Sequence, residues 1–369
     1  MLAAANIAQP RVLIIPPSYF DRDRTIGGGE RYALEYARAL ATLTPTTLGL
    51  FGRTPSIKQD GALTIQNFGV RKYSNSWLFP ATFQTARALR QFDVVHAMIF
   101  PTPLTDFAMF LQCGKCTQVV LTDVGGVIPS LSTRLRRISR RMDINRRANG
   151  LAHLSRYAAR PFSNWSQPQT VLYGGVHEPQ TAVNTEPNGY ALFVGRLLPH
   201  KGALELIESI SPRIPLRIVG RPYNPVYYAK LRDAAAGKNV SFHTSADDFE
   251  LREHYRHANV VIQPSVPSSK EGFDNSELLG LVALEGMSWG KPIVTTDTAS
   301  LPELMVEGET GHIVRAYDRD ALNEAICEFV DFPERSKEIG ARAKQHVLTH
   351  YTWSAAARRG LDFYRVLFQ

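Results

Sequence analysis

The chain is predicted to be an α/β protein of two Rossmann-like, doubly wound domains in series, facing a central cleft. Three observations predict it. At 369 residues the chain exceeds what one hydrophobic core ordinarily organises. Short apolar runs alternate with helical periodicity from end to end, the pattern of a mainly parallel sheet covered on both faces. The alternation halts once, at Gly174–Gly189, a stretch rich in Gly, Pro, Asn and Thr, and then restarts.

The first half carries apolar runs expected as strands at Val12–Ile15, Thr47–Phe51, Leu63–Phe68, Asp93–Ala97, Gln118–Thr122, Leu151–Leu154 and Thr170–Tyr173. Helical stretches are expected at Glu30–Ala41 and Ala81–Gln91. The second half repeats the scheme. Strands are expected at Tyr190–Val194, Leu216–Val219, Val240–His243, Val260–Gln263 and Pro292–Thr295. Helices are expected at Ala203–Ile210, Tyr227–Ala236, Glu250–His257, Leu281–Trp289 and Asp320–Phe329. The domain boundaries that follow are 1–175 for the first domain, 176–189 for a linker and 190–350 for the second domain. Residues 351–369 are expected as a C-terminal helix returning to the first domain.

Composition narrows the class. Apolar residues make up 44% and charged residues 21%, usual for a soluble globular chain. No apolar run approaches the roughly 20 residues of a membrane span, and the N-terminus lacks the basic region of a secretion signal. Three cysteines form no disulfide framework, so a cytoplasmic setting is expected. Charge is unevenly placed. Residues 1–178 hold 21 basic and 10 acidic side chains, whereas residues 179–369 hold 21 and 24. The first half therefore carries the positive excess, which points to an anionic partner.

Gly27-Gly28-Gly29-Glu30-Arg31 follows the first strand and opens a helix. Glycines admit close backbone approach, and a helix N-terminus presents free amides to an anion. A flexible turn accounts for it equally well, and the G-x-G-x-x-G dinucleotide fingerprint is absent. Gly195–Gly202 follows the first strand of the second half. It offers Arg196 and Lys201 at a carboxyl strand end, where such sheets bind ligands, although two solvated surface charges are the commoner explanation of any such pair. Glu277 and Glu285 bracket a helix start at Gly280-Leu281. Glu285 lies on an apolar helix beside Ala283, Leu284 and Met287, where an unpartnered carboxylate is disfavoured.

Together these motifs resemble glycosyltransferase family 4, a retaining, nucleotide-sugar-dependent group with the GT-B fold. The residues that carry the resemblance are Gly195-Arg196-Leu197, Lys201-Gly202, Glu277…Glu285-Gly286-Met287 and Gly290-Lys291-Pro292-Ile293. Leu301-Pro302-Glu303-Leu304, Gly308-Glu309-Thr310-Gly311 and Gly27-Gly28-Gly29-Glu30 add to it. The resemblance implies that Arg196 and Lys201 bind the donor diphosphate and that Glu277 contacts the transferred sugar. It implies that Glu285 holds the ribose, that Gly280, Leu281 and Val282 cap the phosphates through their backbone, and that Gly28 and Gly29 shape the opposing wall. It further implies a hexosyltransferase that retains the anomeric configuration and needs neither metal nor other cofactor. The nucleotide sugar would be its co-substrate, and a glycan or lipid-linked acceptor its partner. Sequence departs from the family at Thr122-Asp123, where His-Asp is usual, at Gly174-Gly175-Val176-His177 in place of N-G-V-D, and at Glu271-Gly272-Phe273, whose spacing to Glu285 is wrong. Thr122 and Asp123, with His96, are the expected acceptor-side residues. His96 ends an apolar strand and faces either cleft or core; its carboxyl strand end favours the cleft.

Other signals carry less. Asp21-Arg22-Asp23 and Asp318-Arg319-Asp320 match a D-x-D that belongs to a different fold, and Cys113-x-x-Cys116 has no second cysteine pair. Seven arginines between Arg134 and Arg147, on a stretch with an apolar stripe, read as a basic amphipathic helix on an anionic membrane or as a surface helix packed on the sheet. No base-reading module accompanies them, so nucleic acid is not expected. A nucleotide-sugar isomerase, or a catalytically silent nucleotide-sugar-binding protein on the same fold, is the alternative to a transferase.

Overall fold

The computed structural model describes residues 9–17, 27–52, 54–69, 89–98, 117–124, 147–179, 189–267 and 277–369. The chain divides into two units, Met1–Gly174 with Trp353–Gln369, and Gly175–Thr352. Asp21–Asp23, residues 81–88 of the expected helix, Cys113 and Cys116, the arginine run up to Arg146 and Glu271–Phe273 lie outside the described residues.

The first unit contains β1 (Val12–Ile15), α1 (Gly28–Ala41), β2 (Thr46–Gly52), β3 (Ser56–Asp60), β4 (Leu63–Gly69), β5 (Val94–Ala97), β6 (Gln118–Leu121), β7 (Gly150–His153), the short α2 (Arg156–Ala159) and β8 (Gln169–Val171). They form an eight-stranded sheet in the order β3-β4-β2-β1-β5-β6-β7-β8. Every pairing is parallel except β3 with β4. Alternation along the strands decides the faces. Leu13, Ile15, Val95, Ala97, Val119 and Leu121 line one buried core. His96 points to the opposite face, in register with Ile14 and Val120.

β3 escaped the sequence reading for a physical reason. Ser-Ile-Lys-Gln-Asp has a single large apolar side chain, and Ile57 is itself exposed. As an antiparallel edge strand it needs no buried face, so it leaves no apolar signature.

The second unit contains β9 (Ala191–Val194), α3 (Ala203–Ser209), β10 (Leu216–Val219), α4 (Pro225–Ala234), β11 (Val240–His243), α5 (Asp248–His257), β12 (Val260–Gln263), α6 (Leu281–Ser288), β13 (Ile293–Thr296), β14 (Gly311–Val314), α7 (Arg319–Asp331) and α8 (Pro333–His350). Its six strands are all parallel, in the order β11-β10-β9-β12-β13-β14. This is the 3-2-1-4-5-6 order of a dinucleotide-type sheet. Local chemistry starts the helices. Asp247 and Glu250 form a reciprocal capping box on α5, and Asn224 caps α4 ahead of Pro225. β14 was missed because its first residue is Gly311. A side chain there would collide with the Ile293 carbonyl, 1.8 Å from the Cβ position, so glycine lets this edge strand approach β13.

The C-terminal helix α9 (Trp353–Val366) belongs to the first unit, where it packs against α1. Tyr32 stacks on Tyr36 and meets the Trp353 ring edge-on at 5.5 Å. Among the described residues no helix is long and apolar enough to cross a membrane.

Candidate functional site

In the second unit, strand order reverses between β9 and β12, so the loops leaving these two strands diverge. Open α/β sheets bind ligands at such a point. The β9 loop carries Arg196 and, on a single 3-10 turn, Lys201. Gly202 then takes a left-handed conformation, φ +73°. Its backbone lies so close to β12 that a Cβ would sit 1.7 Å from the Pro264 carbonyl oxygen. The Val266 amide donates to the His200 carbonyl at 3.0 Å, completing the docking of the two loops.

That docking brings Lys201 to Glu277. The Lys201 ammonium donates to Glu277 Oε2, and the two side chains are 18% and 13% exposed. Ser265 Oγ donates to the same oxygen at 3.3 Å. The Glu277 carbonyl accepts from the amide and hydroxyl of Ser300, at 3.2 and 2.7 Å. Burial pushes the Glu277 carboxyl up. The Lys201 charge and hydrogen bond, the charge of His200 and a hydrogen bond from Gln263 outweigh it, so the group is held below its usual range. Gln263 also accepts from the Ala283 amide at 3.0 Å, tying the carboxylate to the first turn of α6.

α6 begins at Gly280, which has φ +89° and whose Cβ would lie 2.7 Å from Leu301 Cδ2. Among the described residues the amides of Leu281 and Val282 have no hydrogen-bond partner. They are the free donors that every helix start supplies. Glu285 follows on the same helix, and its carboxylate accepts from the Tyr255 hydroxyl at 2.9 Å. Gly286 packs against β12 and β13, with 2.8 Å between its Cβ position and Ile293 Cδ1, which accounts for glycine where Ala would crowd the sheet. Arg196 is exposed, with its guanidinium 5.9 Å from the Tyr223 ring centre.

Of the expected donor-side residues of the second half, Lys201 touches Glu277, and Gln263 ties Glu277 to the α6 helix start that carries Gly280, Leu281, Val282 and Glu285, whereas Arg196 lies beside Tyr223. Gly28 and Gly29 belong to the first unit, as the first two residues of α1. Sequence reasoning missed Gln263, Ser265, Ser300 and Tyr255. Gln263 had a signal, a polar residue closing the apolar run Val260-Val261-Ile262.

The expected acceptor-side positions of His96 and Thr122 need correction. His96 does not face outward. It is fully buried, with Nδ1 2.6 Å from the Tyr364 hydroxyl and Nε2 2.7 Å from Thr122 Oγ1. Its strand face is the one covered by α1 and α9, and a strand-end position does not decide which face a side chain takes. Thr122 is buried with it, at 1% exposure, while Asp123 is half-buried. Asp318, meanwhile, caps α7 by accepting from the Ala321 amide at 3.0 Å, which explains that D-x-D without a metal. Among the described residues no three His, Cys, Asp or Glu side chains are grouped to hold an ion.

Two parallel α/β sheets in one chain, the second with a charged constellation at its switch point, define a protein of the two-domain Rossmann-like class. Comparison with known proteins finds similarity in the second half of the chain. Residues 178–346 match the model of the glycosyl transferases group 1 family. The D-inositol 3-phosphate glycosyltransferase of Corynebacterium glutamicum is 31% identical over 185 residues, covering 47% of this chain and 42% of that one. The GDP-mannose-dependent alpha-(1-6)-phosphatidylinositol monomannoside mannosyltransferase of Mycolicibacterium smegmatis is 27% identical over 255 residues, covering 63% and 65%. The aligned segment therefore spans less than half of the first relative and just under two thirds of the second. The structure of Anabaena HepE with UDP and glucose superposes with a TM-score of 0.69 at 18% identity, over 96% of this chain and 99% of that one. Residues 178–346 are thus similar to the group 1 glycosyltransferases, and the chain has the GT-B fold.

Proposed function

We propose that the chain is a retaining glycosyltransferase that moves a hexose-type sugar from a UDP or GDP sugar to a glycan or lipid-linked acceptor. The observation that carries this reading is the Lys201–Glu277 pair beside the unbonded Leu281 and Val282 amides. An ammonium has three donors. Glu277 takes one, leaving two for phosphate oxygens. Arg196 adds a planar fork of five donors, which suits a diphosphate. The α6 amides supply neutral donors to the same anion. Glu277 and Glu285 supply acceptors for sugar and ribose hydroxyls. Positive charge at the leaving diphosphate lowers the barrier most as negative charge develops there. The departing phosphate would take the acceptor's proton on the face where the new bond forms, which retains configuration. The relatives, one a GDP-mannose-dependent mannosyltransferase and one an inositol 3-phosphate glycosyltransferase, support this donor and acceptor range.

Incubation with UDP-glucose and with GDP-mannose tests the reading. Release of UDP or GDP, accelerated by a membrane and glycan extract, is expected, and no release from either donor would reject it. Chelation with EDTA is expected to leave the rate unchanged, because Arg196 and Lys201 do the charge work. A rate abolished by EDTA and restored by Mg²⁺ or Mn²⁺ would show that an ion is required.

We also propose that the first half docks on anionic membrane through Arg134–Arg147. Each basic residue near such a surface contributes about 1 kcal/mol, so even four usable arginines would give a measurable attraction. Co-sedimentation with anionic but not neutral liposomes is expected at low salt, lost when Arg136, Arg137, Arg140 and Arg141 become Gln. Wild-type protein that ignores anionic liposomes would reject the docking.

A further inference from the structure

The last turn of α8 reads His346-Val347-Leu348-Thr349-His350. Side chains four residues apart share one face of a helix. The two imidazole rings have centres 5.0 Å apart and are tilted by 54°. The Tyr351 ring packs beside both, at 5.6 and 6.4 Å. Its hydroxyl donates to the Glu303 carbonyl at 2.8 Å, which fastens the group to the 3-10 turn Leu301–Leu304.

That turn fixes the tautomer of His346. Its Nε2 lies 3.2 Å from the Leu304 carbonyl oxygen, which can only accept, so Nε2 carries the proton and donates. Burial, with the charge of His350, lowers the His346 imidazole against the Leu304 bond and the charge of Glu309. The ring is therefore neutral at pH 7, and Nδ1 keeps its lone pair. Among the described residues nothing hydrogen-bonds to His346 Nδ1, and His350 is exposed with no hydrogen bond of its own.

This is the arrangement of a metal ligand. An imidazole that binds a metal through one nitrogen ordinarily donates the other N–H to a carbonyl or carboxylate, which sets the tautomer and aims the lone pair. Leu304 already plays that part for His346. Two imidazoles on one ion, each nitrogen about 2.0–2.1 Å from it, have ring centres roughly 4.5–5.2 Å apart between square and tetrahedral ligand angles. The observed separation falls in that range. The position at a helix carboxyl end, where the last carbonyls favour positive charge, adds to the attraction. Other histidines of the second unit lack these features. His312 has a carboxylate oxygen on each nitrogen, and His254 faces the Arg217 guanidinium, whose charge opposes an ion.

We propose that His346 and His350 form a chelating site for a divalent transition ion such as Zn²⁺, Ni²⁺ or Cu²⁺, bound by His346 Nδ1 and one nitrogen of His350, with water in the remaining positions. Imidazole suits these ions, whereas Mg²⁺ and Ca²⁺ take oxygen ligands. The site includes neither Lys201 nor Glu277, and it does not rest on the transferase reading. Folding holds the two rings together, so the ion binds the folded chain in preference and raises its thermal midpoint.

Calorimetric titration of the untagged full chain with Zn²⁺, and separately with Mg²⁺, tests the proposal. Zn²⁺ is expected to bind and to raise the thermal midpoint, and Mg²⁺ to do neither. His350→Gln, a substitution at an exposed position, is expected to weaken Zn²⁺ binding about tenfold or more, and His346→Gln likewise. Electron paramagnetic resonance of the Cu²⁺ complex counts the ligands: splitting from two nitrogens is expected in the wild type and from one in His350→Gln. Wild-type protein that binds no Zn²⁺ overturns the proposal. So does a His350→Gln variant that binds Zn²⁺ as tightly as the wild type, or Mg²⁺ that binds as tightly as Zn²⁺. If His346→Gln does not fold, His350→Gln alone decides.

Discussion

Lys201→Ala is expected to lower turnover of the sugar donor by roughly 10²- to 10³-fold, the usual effect of removing one preorganised donor from developing negative charge. The substitution is also expected to have a structural cost. Glu277 is 13% exposed and is ion-paired with Lys201. Removing one member of a buried pair leaves the other charge uncompensated, at a cost of about 3 kcal/mol for a pair not fully enclosed. The double variant Lys201→Ala, Glu277→Ala is therefore expected to regain stability but no activity. The pH dependence carries a sign. The Glu277 carboxyl is lowered in the folded state, so the unfolded chain binds its proton first on acidification. The pair's contribution is full above the ordinary carboxylate range and is lost as pH falls through the folded value. Thermal denaturation between pH 3 and pH 7 is expected to show this acid limb in the wild type and a weaker one in Glu277→Gln. Equal acid limbs would mean that the pair contributes nothing to the folded state.

Gly202→Ala is expected to destabilise the second unit by about 3 kcal/mol or more, combining backbone strain with a collision in a packed region. Gly237 supplies the control. It has nearly the same conformation, φ +75°, but nothing lies within 4 Å of its Cβ position. Gly237→Ala isolates the strain, about 1–2 kcal/mol. The excess at Gly202 then measures how tightly the β9 loop is docked on Pro264. Equal losses in the two variants, by chemical denaturation, would mean that the docking gives way easily and that Lys201 is not held against Glu277 by it.

Much of this was legible in the sequence because the physics behind it is local. Buried parallel strands such as Val12–Ile15 and Val260–Gln263 are continuous apolar runs, so their limits match the structure to within a residue. The positions of Lys201 and Gly280 were legible because strand-to-helix loops have fixed places in a doubly wound sheet. What was not legible is what depends on the other side of a contact. His96 has the same neighbours in sequence whether it faces core or solvent. It faces the core because Tyr364, 268 residues away, meets its ring. Tyr255 gains its meaning from Glu285, 30 residues on, and Ser300 from the backbone of Glu277. β3 was invisible because an exposed edge strand has no buried face to encode.

In the proposed function the second unit binds a nucleoside diphosphate through Arg196 and Lys201. Calorimetric titration of the full chain with UDP and with GDP tests it most directly. The account predicts that one of the two binds and that the Arg196→Ala, Lys201→Ala double variant weakens it by about a hundredfold or more, since each charged hydrogen bond contributes about 1.5–3 kcal/mol. Thr122→Val, in the first unit, should bind the nucleotide as the wild type does. Wild-type protein that binds neither nucleotide, or a folded double variant that binds as tightly as the wild type, would contradict it.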